Sequence, residues 1–246
     1  DNPDGGTDGG GENPDDPINE TDFSVYIDDP NLETCIRENL GLRDEFPIDI
    51  ADLESLTQLD CFCSGINDLT GLQLFKQITF LNLQNNGIVQ LQPISGLLNL
   101  TDLKLAGNLL YDIETDFPFA SLVNLVRLDL SNNSITDTSA FATLQNLQFI
   151  TVANNDLCDI ESLANNPGIG DPEDVIILDG NHLISQEALS QIGQIETRGP
   201  AFISYDNQTA CPASRFIITT WPAEISVLDA SQRINFRDLC PTGPNP

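Results

Sequence analysis

An α/β repeat fold is predicted here: a leucine-rich repeat solenoid of about seven rungs with a parallel sheet on its concave face. Three observations predict it. The segments LNLQNNGI (81–88), LKLAGNLL (103–110), LDLSNNSI (128–135) and ITVANNDL (150–157) share apolar residues at their first, third and eighth positions and an Asn at the sixth. Their starts lie 22, 25 and 22 residues apart, and self-similarity at such a period marks a repeat array. The L-x-L alternation turns two apolar side chains to one face of a short strand. One rung cannot bury its own apolar face, so the rungs are stable only as a stack.

Residues 1–22 are mostly acids, Gly and Pro, with some Asn and Thr and one aliphatic residue, Ile18. Such a stretch buries too little apolar surface to offset its ordering entropy and is expected to be a flexible acidic tether. Residues 23–54 are expected to form an N-terminal cap. FSVYI (23–27) alternates like a strand, and Asp28-Asp29-Pro30 then starts a helix. Leu32, Cys35, Ile36 and Leu40 lie on one face of it, and Gly41 ends it. IDIADLESL (48–56) leads into the array.

The repeats are placed at 55–207. The first rung reads Leu59, Cys61, Ser64, Ile66, with Cys61 for a core Leu and Ser64 for the Asn. The next four carry Asn86, Asn108, Asn133 and Asn155, each expected to turn the chain out of its strand and satisfy buried backbone groups at the bend. The sixth reads Ile176, Leu178, Asn181, Leu183, and the seventh Phe202, Ser204, Asn207. Residues 208–246 are a disulfide-linked C-terminal cap and tail. FIITTW (216–221) and ISVL (225–228) read as strands, and Trp221 is expected to pack on the last rung.

Nine Lys and Arg against 38 Asp and Glu give a formal charge of −29, which repels nucleic acid and anionic membranes at long range. Basic proteins, cationic groups, divalent ions and neutral glycans remain as partners. Of the 6 cysteines, Cys35 is placed to meet Cys61 or Cys63, and Cys211 and Cys240 bracket the terminal segment and could staple it. Cys158, in the fifth rung, lies about 19 Å from the first repeat at ~4.8 Å per rung, beyond disulfide reach. Two cap disulfides and two unpaired thiols are therefore expected, which argues for an oxidising compartment.

The runs DPNLETCIRENLG (29–41) and LTQLDCFCSGINDLTGL (56–72), with rungs ending I-x-D-L or I-x-D-I, resemble bacterial internalin-type leucine-rich repeat proteins over roughly residues 23–207. The resemblance implies a secreted or surface-displayed bacterial protein whose concave face binds a protein or glycan. The chain departs from the family in its short array, in three steps longer than 22, and in lacking an immunoglobulin-like domain of normal length after residue 207. The acidic start DNPDGG also resembles the stretch after the lipid-bearing Cys of bacterial surface lipoproteins, although no Cys stands at position 1. That implies a lipid anchor ahead of this sequence. It also gives an alternative role, a structural accessory lipoprotein in a larger outer-membrane assembly.

No catalytic, cofactor or metal constellation is expected. His182 is the one His and has no nucleophile indicated beside it; Cys61-x-Cys63 is too short for a structural zinc spacing; and no Gly-rich phosphate loop precedes a helix. Asp68, Asp112, Asp137 and Asp159 recur just after the rung's eighth position and are expected to cap local turns. Residues alternating with the inward Leu are expected on the concave face, and those proposed to bind are Phe62, Phe80, Asn82, Lys104, Arg127, Asp129, Phe149, Thr151 and Tyr205. Aromatics beside Arg on a face that should be polar are the mark of an interface centre.

Overall fold

The computed structural model describes residues 25–111, residues 119–212 and Cys240. The expected tether, the two C-terminal strands, Trp221 and Asp112 lie outside the described residues. Seven three-residue strands form one parallel sheet in sequence order: β1 (Gln58–Asp60), β2 (Phe80–Asn82), β3 (Asp102–Lys104), β4 (Arg127–Asp129), β5 (Phe149–Thr151), β6 (Val175–Ile177) and β7 (Phe202–Ser204). The predicted leucine-rich repeat solenoid is therefore the observed architecture. The middle residues Leu59, Leu81, Leu103, Leu128, Ile150 and Ile176 pair in register and are buried, so a single apolar spine runs under the sheet.

The return side of each rung is set by its length. The shorter steps close through 3-10 turns at Leu72–Leu74, Gln92–Gly96 and Ser139–Phe141. The two longest have room for helices, α3 (Glu161–Asn165) and α4 (Gln186–Glu196). Phe75, Phe119 and Phe141 fill the core from this side, and the last two meet edge to face at 5.8 Å. Asp68, Asp137 and Asp159 do cap their turns, each accepting from the backbone N–H two residues on.

The sixth-position Asn side chains repeat one bonding scheme. Asn155 accepts from Ile135 N–H in the preceding rung, and its amide donates to Leu130 C=O there and to Val152 C=O in its own rung. Asn86, Asn108, Asn133 and Asn181 do the same. A second, exposed ladder was not foreseen: Asn99, Asn124 and Asn146 each donate to a carbonyl of the rung before, on Lys76, Leu98 and Val123. The fifth position also has a fixed demand. Cys63, Asn85, Gly107, Asn132, Asn154, Gly180 and Asn207 all have φ between 54° and 69°, a left-handed conformation that favours Gly and Asn.

That rule corrects the seventh rung. Asn207 occupies the left-handed fifth position, not the sixth. Gln208 takes the ladder role, accepting from Leu183 N–H and donating to Leu178 C=O. The strand is shifted by one residue from the expected register: Ile203 pairs with Ile176 and points inward, and Phe202 and Ser204 face outward.

In the N-terminal unit α1 spans Pro30–Leu40, with Asp29 as its cap and Gly41 closing it at φ 68°. Residues 25–27 form no strand; Val25 N–H instead bonds Ile48 C=O. α2 (Ile50–Ser55) begins with a reciprocal capping box between Asp49 and Asp52. Side chains of α1 supply what a preceding rung would. Asn39 bonds both N–H and C=O of Asp60, and Asn31 donates to Gly65 C=O. Asp29, only 7% exposed, accepts from Asn31 and Leu32 through one oxygen and from Asn67 and Asp68 through the other. Burial alone would raise its pKa, but the four N–H donors outweigh that and hold it below the usual carboxylate value.

The cysteines pair as Cys35–Cys61, Cys63–Cys240 and Cys158–Cys211, which leaves no unpaired thiol and no Cys211–Cys240 staple. Cys61 holds an inward third position and meets the buried face of α1. Cys158 is indeed remote from the first repeat, but the chain after rung seven returns to it. In rungs two to six the seventh-position N–H bonds the eighth-position carbonyl of the preceding rung, as His182 does to Leu157. In rung seven Thr209 bonds Asn181 instead, so the chain leaves the stack and Cys211 reaches Cys158.

Asn155→Ala is expected to cost about 2–4 kcal/mol, since it strands buried backbone groups, whereas Asn146→Ala in the exposed ladder should cost under about 1 kcal/mol. Urea titration followed by circular dichroism compares them, and equal losses would contradict the buried ladder's role. Asp29→Asn should cost roughly 2–4 kcal/mol at pH 7 by replacing one acceptor oxygen with an amide that faces two N–H donors. Because the folded pKa is depressed, this advantage is fully present above the unfolded value and is lost as pH falls through the folded one. The native-to-variant gap should therefore shrink below about pH 4, and a gap that stays constant with pH would refute the assignment. Non-reducing peptide mapping should recover Cys63 linked to Cys240 and Cys158 linked to Cys211; a Cys211–Cys240 peptide would overturn this pairing.

Candidate functional site

The outward residues of the strands form two in-register rows. The first runs Gln58, Phe80, Asp102, Arg127, Phe149, Val175, Phe202. The second runs Asp60, Asn82, Lys104, Asp129, Thr151, Ile177, Ser204. A third row one step further on includes Phe62, Gln84, Ala106, Ser131 and Ala153.

Most of the residues expected on this face are found there. Phe62 is 42% exposed, Arg127 is exposed, and Phe80, Lys104, Asp129 and Phe149 are half-buried. Lys104 Nζ lies 5.0 Å from the Phe80 ring centre, within cation–π range. Gln84 reaches across rung three, over the small Ala106, to donate to Asp129 at 3.0 Å. Two expected residues belong instead to the sheet. Asn82 and Thr151 are each 7% exposed, and Asn82 donates to Asp60 and accepts from Gln84 N–H. Side chains on strands about 4.8 Å apart cover short neighbours, which period-two counting does not register.

Tyr205 does not lie on this face. The one-residue shift in rung seven turns it inward, where it packs on the core and donates to Glu196 at the end of α4. The hydrogen bond to Glu196 and that carboxylate's charge push its pKa above the ordinary phenol value. Phe202, 53% exposed, takes the outward place that the sequence reading gave to its neighbours. A check of the left-handed fifth position against Asn207 would have found the shift.

The basic residues of the face stand apart from the rest. Six of the chain's nine Lys and Arg are described: Arg37, Arg43, Lys76, Lys104, Arg127 and Arg198. Arg37 and Arg43 pair with Glu33 and Glu45, and Lys76 and Arg198 donate to backbone carbonyls. Among the described residues, Lys104 and Arg127 alone of these six have neither an ion pair nor a hydrogen bond.

His182 has neighbours that the sequence did not indicate. Asp156, His182 and Thr209 occupy the seventh position of successive rungs. Thr209 Oγ1 lies 2.5 Å from His182 Nδ1, and Asp156 lies 3.4 Å from Nε2. Acyl transfer also needs free N–H donors for a developing oxyanion. Here the backbone N–H groups of all three residues are spent on carbonyls of the adjacent rung. The trio is a side-chain stack along the edge of the array. Asp174, buried in the turn before β6, is pushed up by burial and by the charges of Asp171 and Glu173, against two backbone N–H bonds that lower it. Those two bonds, from Gly170 and Asp171, close its own loop.

With the rungs, ladder and face defined, the fold is that of a leucine-rich repeat array. The leucine rich repeat family model matches residues 98–157. No curated protein matches the chain. The solved structures that it resembles include bacterial leucine-rich repeat proteins. An internalin of Listeria monocytogenes is 21% identical with a TM-score of 0.54, over 74% of this chain and 57% of that one. A leucine-rich repeat protein of Leptospira interrogans is 24% identical with a TM-score of 0.55, over 65% of this chain and 39% of that one. The chain thus spans less than two thirds of either structure, and at these identities the likeness is one of fold.

Proposed function

We propose that this chain is a non-enzymatic binding module of the bacterial cell exterior that engages a macromolecule, a protein before a glycan, through the open face of its sheet. The observation that carries the reading is the central group Phe80, Lys104, Arg127 and Phe149. It places two unpaired cations between two aromatic rings on a chain of net charge −29. Aromatic and Arg side chains at the centre of a patch are the usual energetic anchors of protein interfaces. Pairing of all six cysteines supports an oxidising, extracytoplasmic setting.

The test is capture by the immobilised chain from a panel of extracellular proteins and glycans. Phe80→Ala, Arg127→Ala and Phe149→Ala combined should weaken capture by about 100-fold or more, given ~2 kcal/mol or above for an anchor residue. Leu98→Ala with Val123→Ala removes exposed apolar residues on the return side of the rungs and should leave capture intact. Capture that survives the triple change, or is lost with the control pair, would overturn the assignment.

A further inference from the structure

The centre of the open face is its own charge complement. On β3, Asp102 and Lys104 stand two residues apart on the outward side; on β4, Arg127 and Asp129 do the same. In register, Asp102 neighbours Arg127 and Lys104 neighbours Asp129, so the order of signs reverses from one strand to the next. None of the four makes an ion pair among the described residues. Asp102 is half-buried: its Oδ1 is closed off without a hydrogen-bond partner, and contact from outside falls to the rest of the carboxylate.

Consider a second copy laid face to face, related by a two-fold axis along the strand direction between β3 and β4. Rung three of one copy then meets rung four of the other. Asp102 faces Arg127 of the second copy, and Lys104 faces Asp129 of the second copy; both contacts occur twice. The same rotation brings rung two onto rung five, placing Phe80 against Phe149. At the centre of the face opposite charges and aromatic rings each find their complement or their like, as an isologous interface requires.

We infer that the chain associates with a second copy of itself through this face; the inference rests on the reading of the face as a contact surface. The face is about 29 Å along the stack, from six strand spacings of ~4.8 Å, and roughly 14 Å across, or about 400 Å². Stable interfaces bury about 800 Å² per partner, so the dimer is weak, with a Kd in the micromolar range or above. The net charge of −29 opposes approach, but this repulsion is screened beyond about 8 Å at physiological ionic strength. A dimer of this kind would also hold the face against partner capture until displaced.

Sedimentation equilibrium of the full chain in ~0.15 M salt, from about 5 to 500 µM, tests it. The native chain should rise towards twice its monomer mass. Asp102→Arg and Arg127→Asp each set like charges opposite one another in a homodimer, and each variant alone should stay monomeric. Mixed one to one, the two variants become mutually complementary and should recover association. Circular dichroism matching the native spectrum shows that each variant is folded. A native chain monomeric throughout, association that persists in both variants, or a mixture that stays monomeric would each overturn the inference. None of those results bears on capture of a different partner, which the preceding experiment reads separately.

Discussion

The structure depends on a buried primary amide repeated once per rung. Where the chain turns out of each strand, it leaves one N–H of the preceding rung and two carbonyls pointing into the core, and each would be costly if unpaired. An Asn side chain offers one acceptor and two donors at the length needed to reach all three. Every apolar contact of the array is organised by this joint, because it fixes the bend that brings the next Leu back under the sheet. The exceptions support the point. Ser64 can stand in rung one because no rung precedes it, and α1 meets the exposed edge with Asp29, Asn31 and Asn39. Gln208 can replace Asn where the chain is already leaving the stack.

The architecture was legible because its two determinants, inward Leu and the ladder Asn, recur at fixed offsets in four nearly regular rungs. Legibility failed where a second constraint used the same residue types. Asn satisfies both the left-handed fifth position and the sixth-position ladder, so Asn207 in isolation fits either. The choice decides whether Tyr205 faces in or out. The disulfides were hidden for a related reason. Distance along a regular stack rules Cys158 out of reach of the first repeat, but says nothing of a chain that departs from the stack at Thr209 and folds back. The exposed ladder of Asn99, Asn124 and Asn146 was in the sequence at spacings of 25 and 22, yet it lies on a side where no burial pattern draws attention to it.

The open face shows how fold and function divide the same strands. Period two assigns residues to the face but not to solvent. Asn82 is held by Asp60 of the rung before, Thr151 accepts from Ala153 N–H in its own rung, and Ala106 lies low enough for Gln84 to pass over it. What remains available is the first row and the tips of Lys104, Asp129 and Phe62. In that row an Asp and an Arg stand side by side without bonding, and a cross-strand pair of opposite charge would ordinarily be worth up to about 1 kcal/mol. Groups that leave such a pairing unmade within the chain are the ones free to make it elsewhere.

The covalent links bear on how firmly this face is presented. A repeat array is held by nearest-neighbour contacts, so its terminal rungs have support on one side only and open first. Cys35–Cys61 fastens the helical cap to rung one, and Cys158–Cys211 fastens the departing chain to rung five. Cys63–Cys240, 177 positions apart in sequence, closes a loop that takes in rungs two to seven. Local opening at either end is thereby tied to the rest of the array, and the strands between are held in one register. A surface already ordered in this way loses little conformational freedom when a partner docks, so more of each contact at Phe80, Arg127 and Phe149 appears as binding free energy.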